Sequence, residues 1–199
     1  MKVNVLAGKE INEARKLAYE VLVWEQNWII PENPTELRVE KGELRDAYDS
    51  MATWFGVFDG NTLIGCHRTC GKLDGCFELE QYYHVPNFIK QSDFAIEGTR
   101  LAIKKTYRSS TAFFELIHFE WSYLINRDCE LFFTTGSFPR PGVLYTRKMG
   151  LIRHGKPFRY HEQDPHQVYL FFANKERLKA NTERLKTIIA GRFPLTSCP

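Results

Sequence analysis

Several polar groups in this 199-residue chain have types and spacings suited to chemistry. Glu97 stands between Ile96 and the run Arg100-Leu101-Ala102-Ile103. A carboxyl buried there without a partner has its charged form destabilised, so its pKa rises toward that of a general base. The competing reading is an ion pair from Glu97 to Arg100 or Arg68. Asp46 and Asp49 lie three apart, so on a helical turn they share a face and can clasp one guanidinium. Such a cluster either binds the amino group of a small molecule or only shapes its loop. Lys104, Lys105, Arg108, Ser109 and Ser110 occupy a bend where a β pattern gives way to helical spacing. A helix start offers free amides and a positive dipole end, so this bend suits a phosphate; the bland reading is a solvated cationic rim.

Other reactive types are less promising. The five cysteines (Cys66, Cys70, Cys76, Cys129, Cys198) have no zinc-ribbon spacing, and His67, His84 and His118 have no ligand-like spacing. No metal site is expected, and core or surface roles are expected for these thiols and imidazoles. Cys70 and Cys76 flank a turn, Gly-Lys-Leu-Asp-Gly, across which they could face each other.

A chain of this length with 43% hydrophobic residues can bury a full core. The expectation is one domain over residues 1–199. A formal charge of +3 is too mild to indicate nucleic acid. No apolar run reaches the roughly 18 residues of a membrane span, and the N-terminus lacks a signal-peptide pattern, so a cytoplasmic protein is expected.

Periodicity orders the elements that must hold these residues. A first strand, Lys2 to Gly8, precedes a helix that Asn12 could cap, with Ala14, Leu17, Ala18, Val21, Leu22 and Trp28 as its apolar face. Pro31 and Pro34 make a loop. Two strands follow around Asp59-Gly60-Asn61. A strand over Asp93–Ile103 then leads into a helix over about Ser110–Asn126. A strand from Cys129, a short helix ending near Gly150, two more strands and a C-terminal helix at about 175–190 complete the chain. Trp28, Phe55, Phe94, Phe113, Phe114 and Trp121 are expected in the core, some of them walling a pocket.

This order, together with Val21…Trp28, Asp46-Ala-Tyr-Asp49, Ile64-Gly-Cys-His-Arg68, Glu97-Gly-Thr-Arg100-Leu-Ala-Ile, Arg108-Ser-Ser and Arg147-Lys-Met-Gly150-Leu, resembles the GCN5-related N-acyltransferase (GNAT) superfamily. Within it the motifs are similar to autoinducer (acyl-homoserine-lactone) synthases and N-acyl amino acid synthases, over residues 14 to 172. An arginine and a phenylalanine of the family's first helix are replaced by Ala18 and Leu22.

The resemblance implies an α/β fold, a mixed central sheet with splayed central strands flanked by helices. It also implies an N-acyltransferase that moves an acyl group, expected to be fatty, from acyl carrier protein or coenzyme A to the amine of an amino acid or similar small molecule. The alternatives are an acetyl-CoA-dependent acetyltransferase of a small amine and a non-catalytic acyltransferase-like binding module, the latter favoured by Ala18 and Leu22. Glu97 would be the base, and the amides of Leu101 or Ala102 would meet the thioester oxygen. Arg100 to Ile103 and Arg108 to Ser110 would hold the phosphopantetheine arm. Trp28, Asp46, Asp49, Arg68 and Arg100 would hold the acceptor. In place of the glycine-rich pyrophosphate loop of a coenzyme A enzyme, Thr111 and Phe113 follow Arg108. One phosphate, as on a carrier protein, fits better, with Lys104, Lys105, Arg147, Lys148 and Arg153 meeting the acidic carrier. Tyr145 stands one residue away from the family's usual thiolate acid, so no acid role is assigned to it.

Overall fold

The hairpin expected around Gly60 is present: β4 (Thr53–Asp59) pairs antiparallel with β5 (Thr62–Cys70). The computed structural model describes residues 1–31, 37–137 and 140–191; Pro34 and Cys198 lie outside them. Strands β1 (Lys2–Val5), β6 (Ala95–Ile103), β7 (Leu131–Ser137), β8 (Ile152–Phe158) and β9 (Val168–Asn174) join that hairpin. They make a seven-stranded sheet in the order β1-β4-β5-β6-β7-β9-β8. All neighbours are antiparallel except β6 and β7. The expected mixed α/β sheet is therefore present.

That parallel junction positions the site. β6 and β7 pair only from Ala95 opposite Leu131 to Gly98 opposite Thr134. Past Gly98, β6 stays with β5 as far as Ile103 opposite Gly65, while β7 stays with β9 as far as Ser137 opposite Val168. The two strands thus part into a V. At the apex of the V, β6 carries a bulge, because Arg100 and Leu101 together oppose the single residue His67. Arg100 has φ 57°, a left-handed value that a non-glycine residue holds only when its surroundings fix it.

Helices cover both faces. α3 (Ala112–Ile125) and α5 (Lys175–Ile189) share one core in which Phe113, Leu116 and Trp121 meet Leu178 and Leu185. The C-terminal helix thus uses its apolar side to cover the sheet, and Asn174 caps it by accepting from the Arg177 amide at 3.1 Å. On the other face α1 (Lys9–Tyr19) lays Ala14, Leu17 and Ala18 against Trp54 and Leu63. Farther along that face, Phe77, Leu79 and Ile89, the last on α2 (Asn87–Lys90), meet Phe133 and Leu170.

Four local readings change. α1 starts at Lys9, so Asn12 is not its cap; its Oδ1 accepts from Arg15 and Arg45 instead. A small hairpin, β2 (Arg38–Glu40) and β3 (Glu43–Arg45), was invisible in the sequence because Arg38, Val39 and Glu40 are all exposed and show no alternation. The turn between the two cysteines closes from Leu73 to Cys76, leaving Cys70 buried on β5 and Cys76 exposed. Two helices also widen into π turns, Glu20–Glu25 after α1 and Leu144–Lys148 after α4 (Arg140–Val143). Gly150, at φ 72°, ends the second of these.

Among the described residues no helix is long and apolar enough to cross a membrane.

Candidate active site

A cavity of about 540 Å³ fills the V. Because side chains alternate across a strand, the two halves of the cavity differ. On the α1 face it is bordered by Trp28, Glu78, Arg100, Thr135 and Tyr160. On the α3 face it is bordered by His67, Ile103, Phe113, Leu144 and Tyr145. Both π turns border it, through Val21 and Leu22 and through Leu144 and Tyr145, as widened turns often do at functional sites. One half is polar and charged; the other is mostly apolar.

The backbone supplies a donor at the junction of these halves. Lys104 donates its amide to the Ile64 carbonyl at 2.9 Å. The two-residue repeat then aims the Ala102 amide at β5 as well, in register with Cys66. Leu101 and Ile103 face the open side of β6, and the Ile103 carbonyl there accepts from Arg108 Nε at 2.9 Å. Of the two amides named from sequence, Leu101 is therefore the one placed toward the cavity. Ala102 is buried against the α1 core.

The charged half is a closed network. Arg68 Nη1 bonds Asp46 at 2.7 Å and Asp49 at 3.0 Å, and Nη2 bonds Asp46 at 2.9 Å and Glu78 at 2.5 Å. Arg68 Nε donates to Thr99 Oγ1 at 2.9 Å. Arg100 Nη2 reaches Asp46 at 2.8 Å and Glu78 at 2.6 Å, and Arg15 reaches Asp49 at 3.2 Å. Arg100 also lies 5.4 Å above the Trp28 ring, a cation–π distance. The spacing of Asp46 and Asp49 does what the sequence reading asked: both acids hold one guanidinium from a 3₁₀ turn, Ala47–Ser50.

Burial alone would raise the Asp46 carboxyl, but Arg68 and Arg100 outweigh it and hold it at about 2. A depressed carboxylate stabilises the fold fully above its unfolded value and ceases to as it protonates. Asp46 should therefore cost the protein stability as pH falls from about 4 to about 2. Urea melts across that window check this, since Asp46→Asn should flatten the slope.

Glu97 is outside the network. Its Oε2 accepts from the Leu79 amide at 3.2 Å on the α1 face, and neither Arg68 nor Arg100 bonds it. The ion-pair alternative is thereby set aside. Burial, reinforced by the Glu78 carboxylate, pushes Glu97 up to about 8. It is buried and does not line the cavity, whereas Glu78 does.

At the basic bend, Arg108 borders the cavity and pairs with Glu25 at 2.5 Å. Ser110 is already used as a local cap: its hydroxyl donates to the Tyr107 carbonyl at 2.7 Å and accepts from the Ala112 amide at 3.2 Å. Ser109 and Lys105 are exposed and Lys104 is half-buried beside them.

Several site residues carried no sequence signal. Glu78 opens a short 3₁₀ helix, Glu78–Gln81, whose acids look like solvated charge in the sequence, and Tyr160 sits in a loop. Tyr160 shares a hydrogen bond of 2.8 Å with Thr135 and meets the Trp28 ring edge-on. His67, read as a core or surface histidine, is both buried and on the cavity wall, where Glu120 holds its Nδ1 at 2.5 Å. An i-to-j pairing over 53 residues between a strand and a helix has no local signature. Tyr145 lies on the α3 face, and burial pushes its phenol above the usual range, which weakens it as an acid.

A family model described as N-acyl amino acid synthase FeeM matches residues 13–173. No curated protein matches the chain. Among solved structures, FeeM, an N-acyl amino acid synthase from uncultured soil microbes, is 15% identical over 93% of this chain and 96% of that one, with a TM-score of 0.70. The coenzyme A-dependent acyl-homoserine lactone synthase BjaI, solved with SAM and isopentyl-CoA, is 12% identical over 89% of this chain and 82% of that one, with a TM-score of 0.64. The acyl-homoserine lactone synthase LasI is 15% identical over 87% and 89%, with a TM-score of 0.67.

Proposed function

The chain belongs to the N-acyl amino acid synthase FeeM family, and from that premise we propose how its V-shaped cavity performs acyl transfer. The enzyme is an N-acyltransferase that moves an acyl group from a carrier or coenzyme A thioester to an amine. The observation that carries the finer reading is the division of the cavity into a charged and an apolar half, with the Leu101 amide between them.

The thioester lies in the V with its carbonyl oxygen toward the Leu101 amide. The acyl chain runs into the apolar half beside Ile103, Phe113 and Leu144. The amine arrives from the charged half, flanked by Trp28, Arg100 and Glu78. Arg100 offers an acceptor carboxylate a planar partner, which suits an amino acid. Asp46, Asp49 and Arg68 act as positioning residues that fix Arg100 and Glu78. Glu97 is not among the residues that line the cavity, so it takes the ammonium proton through an intervening group. The freed amine attacks the carbonyl carbon, and the oxyanion is stabilised by the Leu101 N–H. As collapse breaks the carbon–sulfur bond, the attacking nitrogen gives up its second proton and the departing thiolate takes one up, so the products are an amide and a free thiol.

A cavity of about 540 Å³ has room for far more than an acetyl group, which supports a fatty acyl donor. The donor-binding segment is Arg100 to Ile103 with Arg108, Ser109 and Ser110 at the mouth. The single cationic bend there supports a carrier protein's one phosphate, with Lys104, Lys105, Arg147, Lys148 and Arg153 toward the acidic carrier.

Mass spectrometry of purified enzyme with dodecanoyl carrier protein or dodecanoyl coenzyme A and a mixture of amino acids tests this reading. N-acyl amino acids should form, faster from the carrier. Products from acetyl-CoA alone would contradict it. Charge reversal at Lys104 and Lys105 should raise KM for the carrier about tenfold at low salt, and the effect should shrink as salt rises. A KM that ignores both changes would place carrier docking elsewhere.

A further inference from the structure

The apolar half of the cavity holds a buried polar pair that the acyl-transfer chemistry does not use. His67 is 2% exposed and Glu120 is 0% exposed; His67 lines the cavity beside Phe113, Ile103 and Leu144, with Glu120 behind it on α3. Glu120 Oε2 holds His67 Nδ1 at 2.5 Å, while His67 Nε2 and Glu120 Oε1 have no hydrogen-bond partner among the described residues. Gly98 makes room for the ring, because a Cβ there would lie 2.8 Å from His67 Cε1. Gly98 is also the last β6 residue paired to β7, so the ring sits at the apex of the V. Tyr145 borders the same half of the cavity and senses the Glu120 charge.

A buried ring nitrogen without a partner, set in the wall of a substrate cavity, is costly unless something that enters the cavity bonds it. With Nδ1 held by Glu120, Nε2 is the ring nitrogen left to bond a ligand, and a hydroxyl, which can both donate and accept, is its complement. We propose that His67, oriented by Glu120, reads a hydroxyl on the acyl chain, so that the preferred donor is a hydroxyacyl thioester rather than a plain saturated one. The inference rests on the acyl-transfer reading and adds the class of acyl group to it. His67 lies on the α3 face, whereas Arg100, Glu78 and Glu97 lie on the α1 face, so it is placed to contact the chain and not the attacking amine. A plain chain entering this half offers no group to bond Nε2 and leaves it unpartnered.

The test compares kcat/KM for dodecanoyl thioesters with no hydroxyl and with a hydroxyl at successive chain positions, using one carrier and one acceptor. The wild-type enzyme should favour one hydroxylated isomer by about tenfold to a hundredfold over the plain chain. His67→Leu should bring that ratio near one, and Glu120→Gln should reduce it. The wild-type ratio needs no variant, so the test stands even if His67→Leu does not fold. Equal wild-type rates for every isomer and the plain chain would overturn the inference while leaving acyl transfer intact. So would a His67→Leu variant that slows all donors by one factor, which would make His67 a general base instead. Absence of transfer from any donor would overturn the acyl-transfer reading itself, and this inference with it.

Discussion

Glu97→Gln should lower kcat for acyl transfer by about a hundredfold or more, the usual contribution of a positioned general base. The same substitution should make the protein more stable at high pH. Glu97 is raised from 4.5 to about 8 by burial and by Glu78. Between those values the folded chain keeps a proton that the unfolded chain has lost, so wild-type stability declines as pH rises through the window. Above pH 8 the full cost of ionising a buried carboxyl is present, and a neutral glutamine does not bear it. Urea melts at pH 9 should therefore show Glu97→Gln ahead by an amount on the order of a few kcal/mol. The two proteins should converge near pH 4. Wild-type kcat/KM should climb with pH to a midpoint near 8 as Glu97 loses its proton, and the variant should lack that limb. A variant with wild-type turnover would remove Glu97 from the mechanism, whatever its stability.

The second large effect is structural. Arg68 is 1% exposed and answers Asp46, Asp49 and Glu78 at once. Arg68→Met leaves those carboxylates short of a partner in a buried site, and breaking such a network costs about 3–5 kcal/mol. The loss should be smaller at pH 5 than at pH 8, because unpaired carboxylates relieve themselves by taking up protons. Adding Asp46→Asn to Arg68→Met should restore part of the stability, since the two residues share one network. A loss that does not vary with pH would mean that packing against Trp54, rather than charge, explains the role of Arg68.

The parts of this site that the sequence made legible are those with local chemistry. Asp46 and Asp49 were readable because three-residue spacing on a turn fixes a shared face. The bend after β6 was readable because periodicity changes there, and α3 does begin at Ala112. The hairpin β4–β5 followed from Asp59-Gly60-Asn61. What stayed hidden depends on the register of distant strands. The bulge at Arg100 exists only relative to His67 on β5, and it is what brings Arg100 to Glu78 and Asp46. Whether Leu101 or Ala102 presents its amide likewise depends on which carbonyl Lys104 meets. Glu78 reaches the cavity from a single 3₁₀ turn and Tyr160 from a loop, and neither is long enough to show a period. The partner of His67 lies on a helix that the sequence separates from it by a whole strand.

The most direct measurement replaces one atom. In enzyme carrying a backbone ester in place of the amide at Leu101, the N–H facing the cavity becomes an oxygen, while the Ala102 and Lys104 hydrogen bonds to β5 remain. The rate of N-acyl amino acid formation at saturating acyl carrier protein should fall by about 10²–10³-fold, the loss typical of one oxyanion donor. An unchanged rate in a folded ester enzyme would contradict the placement of the thioester carbonyl in the V between β6 and β7.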